Sequence, residues 1–236
     1  TSSFYELDLT TYEIDTLVAA SGFVDGATYS PDGKQVLFIG SAEAFDAVGK
    51  NCGDHPIAND YDKQAFIMDL ATREVTPITK DFDPSVNVLQ WNVADNNIYF
   101  TCEDKDEQNI YRYNTAKKVF EQMPLEISVT QRFSLPSQSA ATAAYYGQDD
   151  HTAGVAYLFD MKKMRSRLID DPMKPILEDI ELGETHEWNF TASDGTTIHG
   201  KYCLPPSFDP AKKYPLIVYY YGGTSPTVKG ISNPYC

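Results

Sequence analysis

The chain has 236 residues, a net charge of −15 and a pI near 4.5, with 42% hydrophobic and 13% aromatic residues. An apolar content of that size supports a packed core and excludes a disordered chain. The acidic balance leaves little to displace counterions from phosphates, which argues against nucleic acid as a partner. No stretch approaches the length of a membrane helix, and none reads as a signal sequence. The chain opens at Thr1 without an initiator Met, as a processed segment would, so its address is not written in it. The acidic pairs Asp149-Asp150, Asp170-Asp171 and Glu178-Asp179 fall in turn-like stretches and read as solvated loop charges. A field attracting cationic peptide amino termini is the alternative.

Tyr, Val, Ile and Thr favour half-buried pleated surfaces, and the pattern along the chain follows suit. Phe4 to Leu9 and Glu13 to Leu17 read as two strands. Tyr29 then precedes Ser30-Pro31-Asp32-Gly33-Lys34, where Pro31 supplies a fixed φ and Gly33 tolerates a positive one, so the chain reverses. Val36 to Ile39 follows as a buried strand, then Ala65 to Leu70 and, past Thr72-Arg73, Glu74 to Ile78. The unit recurs from Trp91, with strands at Ile98 to Phe100, Asn109 to Tyr113 and Val119 to Met123. A weaker copy starts at Phe133 and continues through Thr142 to Tyr146, Ala156 to Phe159 and Arg167 to Ile169. Its turn, Leu135-Pro136-Ser137-Gln138, departs from the Pro-Asp-Gly pattern.

The aromatic anchors Tyr29, Trp91 and Phe133 are 62 and 42 residues apart, and the second interval suits a four-stranded propeller blade. The first carries about twenty extra residues, at Ser41 to Asp62, between its second and third strands. An aspartate closes three of the third strands (Asp8, Asp69, Asp160). The expected fold is therefore mainly β: a partial β-propeller of about three four-stranded blades plus half of another. A generic β-sandwich accounts less well for the repeated turns. A closed propeller needs more blades, typically four to eight, so the chain is expected to be the C-terminal part, residues 1–170, of a longer one. Open sheet edges would offer a route to a homodimer.

Residues 171–185, with Pro172 and Pro175, read as a linker. From 186 a new alternation begins: Trp188 to Thr191 and Thr197 to Cys203 flank Asp194-Gly195, a strong hairpin signal. Pro205-Pro206 ends the hairpin. The apolar run Leu216-Ile217-Val218-Tyr219-Tyr220 is expected to form a strand ending at Tyr221-Gly222-Gly223.

These residues, with the blade repeat, resemble the prolyl oligopeptidase-type serine peptidases (family S9), particularly the dipeptidyl-peptidase IV branch. The resemblance implies that residues 186–236 open an α/β-hydrolase domain whose nucleophile, acid and histidine lie further downstream. It also implies that Tyr221 donates its hydroxyl to the oxyanion, and that the propeller gates and positions peptide substrates. By the same resemblance the protein would be exported. The paired glutamates that bind a substrate amino terminus in that branch have no counterpart here, since Glu43 is isolated. The rival reading is a propeller that binds proteins or peptides without catalysis.

No nucleophile is expected within the chain. Ser225 and Ser232 each begin like a nucleophile elbow but lack its final glycine. The α/β-hydrolase order is Ser, acid, His, and His55, His151, His186 and His199 all precede these serines. Cys52 and His55 have ligand-like spacing without a second pair, so neither a metal nor a cofactor is expected. Cys52, Cys102, Cys203 and Cys236 are widely spaced and read as free thiols, although three pairings remain open. Asn189-Phe190-Thr191 is a glycosylation sequon by pattern alone.

Overall fold

A computed structural model describes residues 1–57, 60–218 and 229–230. Its fold is mainly β. A two-stranded ribbon, β1 (Ser2–Leu7) and β2 (Ile14–Ser21), comes first. An antiparallel meander follows, made of β3 (Val24–Tyr29), β4 (Gln35–Ser41), β5 (Lys63–Asp69) and β6 (Val75–Pro77). The next is β7 (Ser85–Trp91), β8 (Ile98–Asp104), β9 (Glu107–Asn114) and β10 (Val119–Gln122). The third is β11 (Val129–Ser134), β12 (Thr142–Gln148), β13 (Val155–Asp160) and β14 (Arg165–Asp170). A separate hairpin, β15 (Thr185–Thr191) and β16 (Thr197–Cys203), closes the strand list. Each meander is a four-stranded blade, the second and third being joined into one sheet by a single parallel pair, Val129 of β11 with Gln108 of β9, and the expected three and a half blades are present.

The chain divides into two compact units. The first holds Thr1–Asp104, Ile110–Met123 and Leu135–Ala140; the second holds Lys105–Asn109, Pro124–Ser134 and Ala141–Cys236. In the first unit the run Val36 to Ile39 is apolar without alternation because β4 is buried on both faces. Val36 and Phe38 pack with Phe66, Met68 and, from the ribbon, Phe4 and Val18. Leu37 and Ile39 face the other way, onto Val86, Trp91, Ile98 and Phe100. Burying such a side chain contributes roughly 1.5–3 kcal/mol, so this strand is a main source of the unit's stability.

One turn recurs four times, between the third and fourth strands of each blade. Asp8 accepts the N–H groups of Thr10 and Thr11, Asp69 those of Ala71 and Thr72, and Asp160 those of Lys162 and Lys163, all within 2.7–3.0 Å. Asn114 fills the same place in the second blade by accepting the Lys117 N–H at 2.9 Å. The fifth residue of each turn (Tyr12, Arg73, Lys118, Met164) has a φ of 53–64°. Its N–H returns to the carbonyl of the first residue at 2.7–2.8 Å. These short carboxylate-to-amide bonds hold Asp8, Asp69 and Asp160 below the usual carboxylate pKa.

One expectation needs correction. Leu216, Ile217 and Val218 pair with no strand among the described residues and are 86%, 90% and 75% exposed. A run that is apolar on both faces becomes a strand only between two neighbours, and the described chain supplies none. The stretch 171–185 contains the helical turn α2 (Lys174–Leu177), which starts with Pro175 in its first turn, where a missing N–H is harmless. The anchors are not equivalent either: Trp91 is buried and donates its indole N–H to Asn96, whereas Tyr29 is exposed and reaches Glu6. The extra residues between β4 and β5 include α1 (Ala44–Ala47). There Phe45, Asp46 and Ala47 take left-handed φ values while Phe45 packs between Phe38 and Phe66.

Candidate functional site

The expected oxyanion donor Tyr221, with Gly222, Gly223, Ser225 and Ser232, lies outside the described residues. What leads toward it is described. In the β15–β16 hairpin Gly195 has a φ of 90°, and Asp194 accepts the Thr196 N–H at 2.9 Å. Glycine suits that corner because L side chains rarely adopt such a φ, although the space around it is open. Trp188 stacks on Phe190 at 4.8 Å, and His186 stacks across the pair on Tyr202 at 5.0 Å. Trp188 also covers Gly200, its partner on β16.

Within the second unit a lysine ties three elements together. The Lys229 Nζ lies 2.5 Å from Glu187 Oε1 on β15, 2.9 Å from Glu107 Oε1 at the start of β9, and 4.0 Å from Asp106 Oδ1. The Lys229 N–H donates to the Asp106 carbonyl at 2.9 Å, and Asn109 Nδ2 donates to Glu107 at 3.0 Å. Burial alone would lower the lysine pKa, but its hydrogen bonds to Glu187 and Glu107 override that and hold it above the ordinary value. The carboxylates diverge. Burial opposes the change at Glu107, yet its bond to Lys229 keeps it low, and the same bond lowers Glu187; at Asp106 burial dominates and raises the pKa. Lys201 and Asp150 form a further shielded pair at 3.8 Å.

The remaining candidates are scattered. His186 meets Glu184 at 3.1 Å, and His199 Nδ1 meets Asn189 Oδ1 at 2.7 Å. The His55 N–H donates to the Cys52 carbonyl, and His151 occupies the turn after β12. Asn189, the sequon residue, therefore sits in a paired strand. No cluster of ligating side chains occurs among the described residues. Cys52, Cys102 and Cys203 are free; burial pushes the Cys102 thiol far up, which leaves it unreactive. Glu43 lies just before α1, its carbonyl accepting the Ala47 N–H. An open depression of about 390 Å³ beside α2 is lined by His151, Asp171, Lys174 and Glu178. No helix among the described residues is long and apolar enough to cross a membrane.

No family model matches the chain. Among curated proteins, dipeptidyl-peptidase 5 of Porphyromonas gingivalis is 26% identical over 202 residues, 85% of this chain and 27% of that protein. The chain is related to the S9 serine peptidases. It spans about a quarter of the length of that relative. Solved structures agree on the fold. Dipeptidyl peptidase 4 of P. gingivalis superposes with a TM-score of 0.63 at 13% identity, over 90% of this chain and 29% of that one. A prolyl endopeptidase gives 0.59 at 13%, over 88% and 28%. TolB of Acinetobacter baumannii gives 0.50 at 20%, over 72% and 38%.

The sequence alone missed the Lys229 cluster. Lys229 and Glu107 are separated by 122 residues along the chain, and no local pattern marks such a pair.

Proposed function

We propose that this chain is part of an S9-type serine peptidase, residues 1–170 carrying propeller blades, 171–185 a linker and 186–236 the opening of the α/β-hydrolase domain. The observation that carries the reading is the 26% identity to a dipeptidyl-peptidase across 85% of the chain. The four-stranded blades and the hairpin after them support it. The substrates are peptides, and the propeller gates and positions them. Nucleic acid is not a partner of so acidic a chain. Exposed sheet edges support a homodimer, and a monomer mass in light scattering would exclude it.

Tyr221 supplies one oxyanion donor in the complete enzyme. The charge that develops on the scissile carbonyl oxygen needs a donor aimed at it, and a phenol meets that need. The chain by itself is inert, because its four histidines precede Ser225 and Ser232 and no Ser, acid, His order can be assembled.

The test is twofold. A fluorophosphonate probe labels the complete protein at a downstream serine and leaves these 236 residues unlabelled. Tyr221→Phe lowers kcat on a peptide substrate about 10²–10³-fold. Labelling at Ser225 or Ser232 would contradict the reading. A complete protein that takes no label is a non-enzymatic binding propeller.

A further inference from the structure

The last strands of the three blades present different edges. β6 is three residues long and ends on Pro77, and β10 is four residues long with Pro124 two places beyond it. Short edges bounded by proline resist pairing with another chain. β14 has six residues and no proline, and it stands at one end of its sheet with β13 as its only partner among the described residues. Five of its six residues are exposed, Leu168 and Ile169 to 52% and 53%. Ile169 is bulged out of the register with β13, so the regular part of this edge runs from Arg165 to Leu168.

Charge is distributed unevenly along the same edge. Lys162, Lys163, Arg165 and Arg167 lie at its start, and Asp170 and Asp171 at its end. Arg165, Arg167 and Asp170 form no ion pair among the described residues. When this strand pairs with itself antiparallel, the basic start of each copy meets the acidic end of the other. A parallel pairing sets like charges opposite. Opposite charges facing each other across two strands are stabilising, and like charges are destabilising. The net charge of −15 opposes self-association at long range, but at physiological salt repulsion beyond about 8 Å is largely screened and the local complementarity remains.

We propose that the β14 edge is a self-association surface, to which a second copy of this chain adds its own β14 antiparallel about a two-fold axis. The proposal names the surface behind the homodimer reading above and needs no peptidase activity. Two strands of six residues bury less than a permanent dimer does, so the association is reversible and depends on concentration.

Sedimentation equilibrium of the complete protein tests this. The wild type forms a dimer whose fraction rises with concentration. Arg165→Glu with Arg167→Glu turns the start of the strand acidic, and Asp170→Lys with Asp171→Lys turns its end basic. Each double variant dimerises about tenfold more weakly or worse. An equal mixture of the two restores the dimer, because facing ends again differ in sign, and the restored dimer shows that both variants fold at this edge. A wild type that stays monomeric at every concentration overturns the proposal and the homodimer reading together, and leaves the edge to a strand of another protein. A dimer that survives both double substitutions is held elsewhere, and a mixture that stays monomeric lacks the complementarity. Those two results overturn the β14 surface alone.

Discussion

Asp69 shows how one side chain ends a strand. Its carboxylate takes the N–H groups of Ala71 and Thr72, its carbonyl takes that of Arg73, and the Lys34 carbonyl takes that of Leu70, so five residues reverse the chain with every turn donor satisfied. Asp69→Ala leaves those amides to water and removes the reason for the left-handed φ of 64° at Arg73. The variant melts a few degrees lower by circular dichroism, and Asp69→Asn recovers most of the loss because the amide oxygen can still accept. The sequence displayed this device at Asp8, Asp69 and Asp160. It hid the fourth copy, since Asn114 accepts as an aspartate does but breaks the letter pattern.

The blade is the next scale, and there glycine decides how closely strands approach. A Cβ on Gly147 of β12 would collide with the Val129 carbonyl and with Ile127, beside the bulge that shifts β11 between Thr130 and Arg132. Gly40 on β4 meets the Phe23 carbonyl in the same way, beside the Val24/Gly26 bulge. Gly147→Val therefore costs about 3 kcal/mol or more, read as a lower urea midpoint. Strands of this kind were legible because runs such as Val36 to Ile39 and turns such as Ser30 to Lys34 are local signals. The third blade's departure at Leu135 to Gln138 also has a physical reason. The Pro136 and Ser137 carbonyls accept from Asn92 Nδ2 and the Val93 N–H, so this turn is stabilised by its neighbour and needs no Asp-Gly of its own. The α2 turn and the unpaired Leu216 to Val218 were not legible. The first is too short to show periodicity, and the second carries a strand's composition without a strand's partners. The motif around Tyr221 lies outside the described residues, and the Lys229 cluster joins residues too far apart along the chain for any local pattern to show it.

For the whole molecule, acid is the revealing perturbation. Asp8, Asp69, Asp160 and Asp194 are held low by backbone N–H groups, Asp32 by the Ser30 hydroxyl, Glu121 by Arg112 and Glu187 by Lys229. A carboxylate with a depressed folded pKa contributes stability in full above its unfolded value and loses it as pH falls through the folded one. Asp62 and Asp106, raised by burial, run the other way and gain on protonation, but they are outnumbered. The melting temperature should therefore change little from these groups between about pH 5 and pH 8, then fall below about pH 4. A melting temperature that held or rose below that point would contradict the assignment.

The four turns that close the third strands share one backbone path, yet they carry four different residues at the left-handed position: Tyr12, Arg73, Lys118 and Met164. The bonds that shape each corner run within the turn, and the outward bond is shared by two copies: the Leu70 N–H donates to the Lys34 carbonyl as the Met161 N–H does to that of Ala141. The segment Asp69 to Arg73 should thus be exchangeable for Asp160 to Met164 without loss of either blade. A gene grown by copying blades could then rewrite these corners freely, and keep its strict spelling for the strands, where each side chain has a neighbour to fit.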